Sequence, residues 1–439
     1  MNIKRYTFSL LLLALFMVNS YAQNGVSSPL SRYGFGQLSD MTIGRSTAMG
    51  GAGLGLRAGQ QINIANPASY SAVDSLTFLL DAGVTLENTN YSNGTIKLNN
   101  KSANFEYLAM QFRAFRKIGM AFGFAPFSKI GYDFGETKEP ITDIYGSTTP
   151  GFSYTGEGGV TKAFFGIGWN PIAGLSVGVN GEFLFGNITH SITNSYSNTS
   201  VFSNVRSYTA RISTFNTSWG LQYELPVSKL DKLTVGATFT PGHDVNNAAY
   251  RQDYLFDAAN EKYEGSTTDT IQNAFQLPKS FGFGVTYTHG RKLTVSADFM
   301  LQKWSDCKYP MTYGDGNGNS TFGSKTGFLS DRKKISVGAE YIPNIMSRNY
   351  LKRVRYRVGG FYATQYAKVD KFEPGKELGL TAGLGLPIQN QWNNLSVVNL
   401  SAQYVHVEPS VKQLPVENHF RICVGITFDE RWFMKWKAD

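Results

Sequence analysis

Two stretches of this 439-residue chain have residue types and spacing that could bind a phosphate group or a metal ion. The segment 51–55 reads Gly-Ala-Gly-Leu-Gly, one residue short of the GxGxxG pattern that holds dinucleotide phosphates, and no strand precedes it. The segment 315–326 begins like a calcium-binding loop, but Ser320 replaces the required glycine and Thr326 replaces the bidentate glutamate. Neither stretch therefore predicts a cofactor or a metal site.

Nucleophilic or acid–base chemistry would need a base beside a nucleophile or an activated water. His190 and His243 fall in or beside predicted loops, but no partner residue is identifiable for either. The five histidines also lack the spacing of zinc ligands: His190, His243, His289, His406 and His419. The sequence predicts no enzymatic activity, no metal and no cofactor.

Charge and cysteine content narrow the class further. The formal net charge is +9, but Lys and Arg are dispersed apart from one group at 352–357, so no nucleic-acid partner is expected. Cys307 and Cys423 lie far apart in the sequence and form no CxxC pair. In an oxidising envelope they could form a disulfide, although two free thiols is the favoured interpretation.

The elements that would position these residues begin with an export signal. Two basic residues precede an apolar run, 8–18, and Ser20 and Ala22 supply the small residues of a cleavage site. This pattern predicts a signal peptide over residues 1–22, with export by the Sec route. No later stretch approaches the ~18 apolar residues of a spanning helix, so membrane insertion would require a β-barrel.

Alternation of apolar and polar residues then dominates the chain. In the closing stretch every second residue from Phe420 to Phe428 is large and apolar, with small or polar residues between. Because successive side chains of a strand point to opposite faces, one face would meet lipid and the other a polar lumen. We predict an all-β fold, a transmembrane antiparallel up-and-down barrel over residues 75–430, followed by a tail, 431–439. Its fourteen predicted strands are 76–90, 104–117, 118–133, 153–169, 174–190, 205–224, 232–246, 276–289, 291–305, 327–342, 350–366, 376–387, 394–407 and 417–430.

The connections between these strands alternate in length. Short turns are typical of the periplasmic side of an outer-membrane barrel and long loops of the extracellular side. The predicted short turns include 117–119, 170–173 and 289–291, and the long loops are 134–152, 190–204, 243–275 and 306–326. Tyr and Trp near the strand ends, such as Trp169 and Tyr341, suit the aromatic girdles of the two membrane interfaces.

The mature N-terminal segment, 23–74, does not follow the alternation. It is rich in glycine, including Gly50, Gly51 and Gly53, and has little apolar surface with which to form a domain of its own. A glycine-rich segment packs closely against a wall, and a barrel of fourteen strands has room for it. We therefore expect it to form a hatch in the lumen.

The order of export signal, glycine-rich segment, the tripeptide Asn66-Pro67-Ala68 and about fourteen strands resembles the FadL/TodX family. Members of that family are outer-membrane transporters of long-chain fatty acids and other hydrophobic compounds. The resemblance implies that Asn66, Pro67 and Ala68 belong to a lumen hatch. It also implies passive uptake across the outer membrane of a Gram-negative bacterium, with a hydrophobic small molecule or lipid as substrate and outer-membrane lipid as surroundings.

A second family feature is a kink in the third strand that opens the wall toward lipid. Here Pro126 lies in the third predicted strand, where it cannot donate to the ladder and should mark a bulge or a break. The small residues Ala121, Gly123 and Ala125 precede it on the predicted inner face. They would leave space for a lateral opening; the alternative is a bulge without function.

Capture of a hydrophobic solute would begin on the extracellular loops. Aromatic and aliphatic residues in and beside the loop 243–275 could form a landing surface: Tyr250, Tyr254, Leu255, Phe256 and Phe275. Two other functions stay open. FadL-like barrels also serve as shuttle or anchor subunits of secretion systems, which would require an unknown protein partner. A general diffusion porin is the other, and the predicted hatch argues against it.

Overall fold

The computed structural model describes residues 28–40, 42–94, 97–143, 146–314, 320–368, 374–388, 396–411 and 414–431. The predicted signal peptide, residues 432–439 of the predicted tail and residues 315–319 of the calcium-like segment lie outside the described residues. Among those that are described, no helix is long and apolar enough to cross a membrane.

Strands make up almost all of the described structure. They are β1 (Gln37–Leu38), β2 (Thr77–Ser92), β3 (Lys97–Phe115), β4 (Ile118–Thr137), β5 (Ile141–Asp143), β6 (Gly146–Thr148), β7 (Pro150–Ile172), β8 (Leu175–Tyr196), β9 (Ser203–Pro226), β10 (Asp231–Thr240), β11 (His243–Val245), β12 (Ala249–Asp257), β13 (Lys262–Ile271), β14 (Phe275–Leu277), β15 (Ser280–His289), β16 (Leu293–Gln302), β17 (Tyr309–Gly314), β18 (Ser320–Lys325), β19 (Arg332–Tyr341), β20 (Arg355–Thr364), β21 (Lys376–Pro387), β22 (Val397–Glu408) and β23 (Val416–Arg431). The helical segments are one α-helix, α1 (Arg45–Ala48), and the 3-10 turns Pro29–Arg32, Pro67–Ala72, Trp304–Asp306 and Tyr350–Lys352.

Antiparallel neighbours close into a barrel of fourteen strands, which confirms the predicted fold and strand number. The first and last wall strands, β2 and β23, pair along their whole length from Thr77–Arg431 to Ser92–Val416. β10 and β12 occupy consecutive stretches along β9, and β13 and β15 follow one another in the same way, so each pair counts as one wall strand.

Residue alternation decides which face of the wall meets lipid. In β15, Phe281, Phe283 and Tyr287 are exposed on the outside, whereas Thr286 is buried in the lumen. Their cross-strand neighbours repeat the pattern, since Val285 pairs with Val235 of β10 and with Ala297 of β16. A one-residue slip would place every polar residue of these strands in lipid, so the register is strongly determined.

The strand boundaries differ from the prediction mainly on the side of the long loops. β7 and β8 extend to Pro150 and Tyr196, because polar segments continue a backbone ladder beyond the apolar stretch that gave the sequence signal. The strand predicted at 232–246 instead ends at Thr240, where Pro241 has no N–H for the ladder. The strand predicted at 327–342 begins at Arg332.

The described part of the N-terminal segment, 28–74 without residue 41, packs inside the wall. Its residues Ile62, Ile64 and Tyr70 are buried against the wall residues Ala121 and Ala125. A second buried cluster joins Phe35 to the bases of the long loops. The hatch and the wall therefore share their cores.

Candidate functional site

The tripeptide Asn66-Pro67-Ala68 forms a rigid turn at the inner wall. Asn66 is fully buried and caps the 3-10 turn that follows, with its side-chain oxygen accepting from the N–H of Ala68 at 3.1 Å. Its amide nitrogen donates to the carbonyls of Leu54 at 2.8 Å and Leu221 at 3.2 Å. Proline suits the first position of such a turn because its N–H would be unsatisfied there in any case. The asparagine thus ties two parts of the hatch to β9.

A stripe of wall glycines makes room for this turn. Gly119, Gly168, Gly178 and Gly220 are cross-strand neighbours on β4, β7, β8 and β9. A Cβ atom on Gly220 would lie 2.1 Å from the side-chain oxygen of Asn66, and one on Gly178 would lie 2.4 Å from the carbonyl carbon of Pro67. Only a wall without side chains along this line lets the hatch backbone approach so closely.

The other predicted hatch glycines lie on the opposite side of the lumen. Gly50 has a positive φ of 67°, and its N–H donates to the hydroxyl of Thr381 at 2.9 Å. The carboxylate of Asp298 accepts from the backbone N–H groups of Gly53 at 2.6 Å and Leu54 at 2.7 Å. Gly51, with a φ of 84°, faces the side chain of Lys334. All six residues predicted for the hatch therefore contact the wall or bind other parts of the hatch; their role in gating stays a prediction.

Ion pairs also connect the hatch to the wall strands β19 and β20, on the same side of the lumen as Gly50 and Gly51. Asp40 lies 2.6 Å from the ammonium of Lys334 and 3.4 Å from the guanidinium of Arg332, both on β19. Arg45 pairs at 2.9 Å with Glu340, which also accepts from Arg357 at 2.7 Å. Burial by itself raises the pKa of the Asp40 carboxyl, but the charges of Lys334 and Arg332 outweigh it and hold that pKa well below its usual range.

The wall is not continuously paired between β3 and β4. Their ladder runs from Phe115–Ile118 to Leu108–Phe124 and ends there, with no further pairing of these strands among the described residues. Phe127 forms a bulge opposite β7 between Pro126 and Ser128. Ala121 and Gly123 lie in the paired part of this seam, while Ala125 and Pro126 lie just beyond its end. The predicted irregularity at Pro126 is therefore present, although a lateral exit stays a prediction.

The hatch occupies the edge of β4 where β3 has left it. The short strand β1 pairs Gln37 with Lys129 and Leu38 with Ser128. The N–H of Ser39 continues this pairing with the carbonyl of Phe127 at 3.0 Å. These bonds satisfy backbone groups that would otherwise face the membrane unpaired.

One side-chain contact spans the gap between the two strands. Glu106, a bulge residue of β3, accepts from the ammonium of Lys129 on β4 at 3.0 Å. The space beside the small residues of the inner face is not empty, because Ala121 and Ala125 pack in the cluster that contains Ile64 and Tyr70 of the hatch. The hatch therefore fills the lumen side of this seam.

An aromatic cavity of about 250 Å³ lies at the base of the long loops. Tyr250 and Phe275 line it, together with Tyr309, Met311 and Phe322. Three of the five predicted capture residues are absent from its lining. Tyr254, Leu255 and Phe256 lie farther along β12, where Tyr254 and Phe256 pack on Tyr263 of β13. The structure therefore brings only Tyr250 and Phe275 to one cavity.

A hatch residue that the sequence analysis did not select, Phe35, packs behind this cavity against Phe275 and Tyr309, which line it. Phe35 is fully buried, with its ring centroid 5.5 Å from that of Phe275, 5.6 Å from Trp304 and 5.9 Å from Tyr309. The only sequence signal was an aromatic residue between glycines in a segment of low apolar content. Phe35 joins the hatch to the loops.

Hydroxyl groups fix the same segment on both sides of Phe35. Tyr309 donates to the carbonyl of Gly34 at 2.6 Å, and Tyr366 donates to the carbonyl of Gly36 at 2.5 Å. Burial raises the pKa of Tyr309 above its usual range, so its hydroxyl stays protonated as a donor. Residues 34–36 therefore close the cavity toward the lumen.

Two smaller cavities lie below this closure, on either side of the hatch segment Leu38–Asp40. Their volumes are about 110 and 140 Å³, and charged groups such as Glu106, Arg332 and Lys334 line them. In the part of the chain that the structure describes, no three potential ligands among His, Cys, Asp and Glu are grouped to hold a metal ion. Both cysteines are free.

The fold and this interior define a class: fourteen-stranded barrels with an N-terminal hatch, as in FadL-type channels. The toluene transporter TbuX of Ralstonia pickettii is 16% identical, with a TM-score of 0.58, 90% of this chain covered and 99% of that chain. A FadL homologue of Pseudomonas aeruginosa is 12% identical, with a TM-score of 0.58 and 89% and 99% covered. The toluene transporter TodX of Pseudomonas putida is 12% identical, with a TM-score of 0.56 and 90% and 99% covered.

These similarities confirm, for the fold, the resemblance expected from the sequence. A search among curated proteins gives no match. The family model described as BamG matches residues 2–439. The chain therefore belongs to the BamG family.

Proposed function

We propose that this protein is a non-enzymatic transporter that takes up hydrophobic compounds, of the size of long-chain fatty acids, across the outer membrane of a Gram-negative bacterium. It would reach that membrane by the Sec route. The main support is the seam between β3 and β4, where the hatch strand β1 and one ion pair replace the wall ladder. Structures of the same fold are named for toluene and monoaromatic hydrocarbons.

Uptake would begin in the aromatic cavity. Its lining by Tyr250, Phe275 and Met311 favours an apolar molecule, and each buried CH₂ group contributes about 0.8 kcal/mol. The hatch residue Arg32 and the loop residue Lys368 also line the cavity, so a molecule with an anionic head group would meet two cations there. Tyr254, Leu255 and Phe256 would serve as earlier contacts on the hairpin.

Release would follow a shift of the hatch segment Phe35–Asp40. This shift would withdraw Phe35 from the aromatic residues Phe275 and Tyr309 behind the cavity, and β1 from the edge of β4. The molecule would then leave sideways between β3 and β4, past Ala125 and Pro126. No step requires an energy source, since transfer from water to lipid is favourable for an apolar solute.

A short chemical crosslink across the seam tests this route. Cysteines at Glu106 and Lys129 would be joined by bismaleimidoethane in the assembled protein, and uptake of a fluorescent long-chain fatty acid would be measured in cells. We expect uptake to stop in the crosslinked double variant and to persist in both single variants. The matched control joins Arg206 and Asp253, which already face each other on the paired strands β9 and β12. Normal uptake with a locked seam would contradict the lateral route.

The alternative is a shuttle or anchor subunit of a secretion system. One observation favours it: β13 is exposed almost throughout and pairs on only one side among the described residues, so the β12–β13 hairpin presents a free edge to an extracellular partner. Extraction with a mild detergent followed by mass spectrometry separates the two functions. Retained acyl chains support transport, whereas a stoichiometric protein without lipid supports the subunit role.

A further inference from the structure

Three neighbouring turns on the side opposite the long loops form a continuous surface, here called the periplasmic ledge (226–231, 289–292 and 342–354). Backbone hydrogen bonds connect them, from the N–H of Gly290 to the carbonyl of Leu230 at 2.6 Å and from the N–H of Ile342 to the carbonyl of Lys292 at 2.7 Å. The third turn is closed on itself by a bond from the N–H of Asn344 to Lys352 at 2.8 Å. The ledge is therefore one ordered surface and not three separate loops.

The ledge carries a strong excess of positive charge. It contains six basic residues, Lys229, Arg291, Lys292, Arg348, Lys352 and Arg353, and a single acidic one, Asp231. Asp231 is already engaged, since Ser228, His289 and Tyr287 donate to or contact its oxygens at 2.5 to 2.7 Å. Among the described residues, no carboxylate lies within ion-pair distance of the following cations: Lys229, Arg291, Lys292, Arg348 and Lys352.

Apolar side chains project among these cations. Met346 is 82% exposed, Val227 66%, Leu351 65% and Leu230 61%. The outward aromatic residues Tyr341 and Tyr356 end the lipid-facing rows of β19 and β20, as expected at a membrane interface. Met346 and Leu351 lie in the turn beyond these tyrosines, on the aqueous side. Apolar residues grouped at such exposure are typical of a contact surface for another protein.

One hairpin at the other end of the barrel has the opposite charge, so the ledge does not simply reflect a basic composition. The β12–β13 hairpin, 249–271, contains five acidic residues, Asp253, Asp257, Glu261, Glu264 and Asp269, against the two basic residues Arg251 and Lys262. The periplasmic cations are densest in this sector, because the turn 170–174 carries no charge and the turn between β3 and β4 carries only Arg116 and Lys117. A ring of lipid head groups would be matched by evenly spread cations, whereas a protein is matched by a dense cluster in one sector.

We infer that the ledge is the docking surface for a periplasmic protein whose contact segment combines acidic residues with apolar ones. The carboxylates of that segment would pair with cations such as Lys229 and Arg348. Its apolar residues would cover Met346 and Leu351. This inference does not depend on transport, because no ledge residue lines the aromatic cavity or the β3–β4 seam.

Photo-crosslinking in living cells tests the inference. The full-length protein would carry p-benzoylphenylalanine in place of Met346, with Tyr263 on the extracellular hairpin as the control position. Four ledge cations would be reversed together: Lys229→Glu, Arg291→Glu, Lys292→Glu and Arg348→Glu. The matched control reverses four lysines at the other end: Lys97→Glu, Lys101→Glu, Lys262→Glu and Lys308→Glu.

We expect a discrete protein adduct at position 346 whose crosslinked peptide is acidic. Its yield should fall at least about tenfold in the ledge variant and stay unchanged in the control variant. Heat-modifiable migration on gels would show that the variant barrel is folded. If the ledge variant fails to assemble, the salt dependence of the wild-type adduct tests the inference instead. In isolated membranes the adduct yield should fall between 0.15 and 1 M salt, because the screening length drops from about 8 to 3 Å.

Three results would overturn the inference: an adduct with phospholipid alone, a protein adduct that neither charge reversal nor salt reduces, or no adduct at position 346. Fatty-acid uptake would be measured in the same strains. Loss of crosslinking with normal uptake in the ledge variant supports docking without bearing on transport. Retained crosslinking with lost uptake in that variant counts against docking by the ledge cations and bears on transport alone.

Discussion

Asp40 and Lys334 join the hatch to the wall through a contact of 2.6 Å between a carboxylate oxygen and an ammonium nitrogen. They lie 294 positions apart in the sequence. Asp40 also lies between the two polar cavities and follows β1 by two residues. The segment that replaces β3 along β4 is thus anchored directly beside its C-terminal end.

Replacing Asp40 by Asn should loosen the hatch. It would leave the buried ammonium of Lys334 without its carboxylate, while Arg332 keeps Glu377 at 3.6 Å, and loss of one partner of a buried ion pair costs about 3–5 kcal/mol. We expect larger and more frequent conductance steps in planar bilayers. Asp74→Asn is the matched control, since Asp74 is an exposed hatch carboxylate with no ion pair among the described residues. Wild-type conductance in Asp40→Asn would mean that the pair does not hold the hatch.

The same pair predicts how conductance depends on pH. Because the pKa of Asp40 is lowered in the folded protein, its stabilising contribution is fully present above the unfolded value of about 3.9 and is lost only as the pH falls below it. Conductance of the wild-type protein should therefore stay constant between pH 8 and pH 5. An increase in conductance within that range would mean that a group other than Asp40 holds the hatch in place.

Adding one methyl group to the glycine stripe should displace the Asn66 turn. The Cβ of Gly220→Ala would lie 2.1 Å from the Asn66 side-chain oxygen, well inside contact distance, and the hatch must shift because the wall backbone is fixed by its ladder. We expect a folded barrel with raised conductance and greater sensitivity to large antibiotics. Gly314→Ala is the control, since nothing lies within 4 Å of its Cβ position. Equal behaviour of the two variants would show that the turn tolerates displacement.

Removing the ring of Phe35 should release residues 28–40 of the hatch, here called the arm, from the aromatic residues of the loops. Truncation of a buried phenylalanine costs about 3–5 kcal/mol, and the remaining hydrogen bonds from Tyr309 and Tyr366 hold only backbone carbonyls. In Phe35→Ala we expect faster hydrogen exchange over residues 28–40, with unchanged exchange in β7 and β8. Leu38→Ala, a smaller truncation in the same arm, is the comparison. Protection equal to wild type in Phe35→Ala would indicate that the aromatic cluster does not hold the arm.

Alternation alone predicted the wall because lipid imposes it on each strand separately. The strand predicted at 291–305 can be read without reference to its neighbours, and β16 lies within it at Leu293–Gln302. The break after Thr240 has a local signal in Pro241 that alternation does not register, whereas the ladders that extend to Pro150 and Tyr196 have none. Backbone pairing above the membrane places no demand on residue type, so it leaves no periodic trace in the sequence.

The interior was harder to predict because its contacts join distant positions. Asn66, Pro67 and Ala68 were selected from their order in the chain, but nothing in that order indicates that Gly178 and Gly220 face them. The pairing of Asp40 with Lys334 and the position of Phe35 against Trp304 depend on the barrel diameter and on the path of the hatch. Of the predicted capture residues, Leu255 and Phe256 share the hairpin of Tyr250 but not its cavity, because a strand carries its residues steadily away from the base.

The pairing of β2 with β23 has a consequence for biogenesis. The strand that follows the hatch can complete its second edge only with the last strand of the chain, so the ring stays open until the C-terminal strand has been exported. Throughout that interval β2 presents an unpaired edge of sixteen residues, and the hatch has no enclosed lumen to occupy. Whatever assists insertion must shield that edge while the N-terminal segment enters, and closure then seals the segment inside.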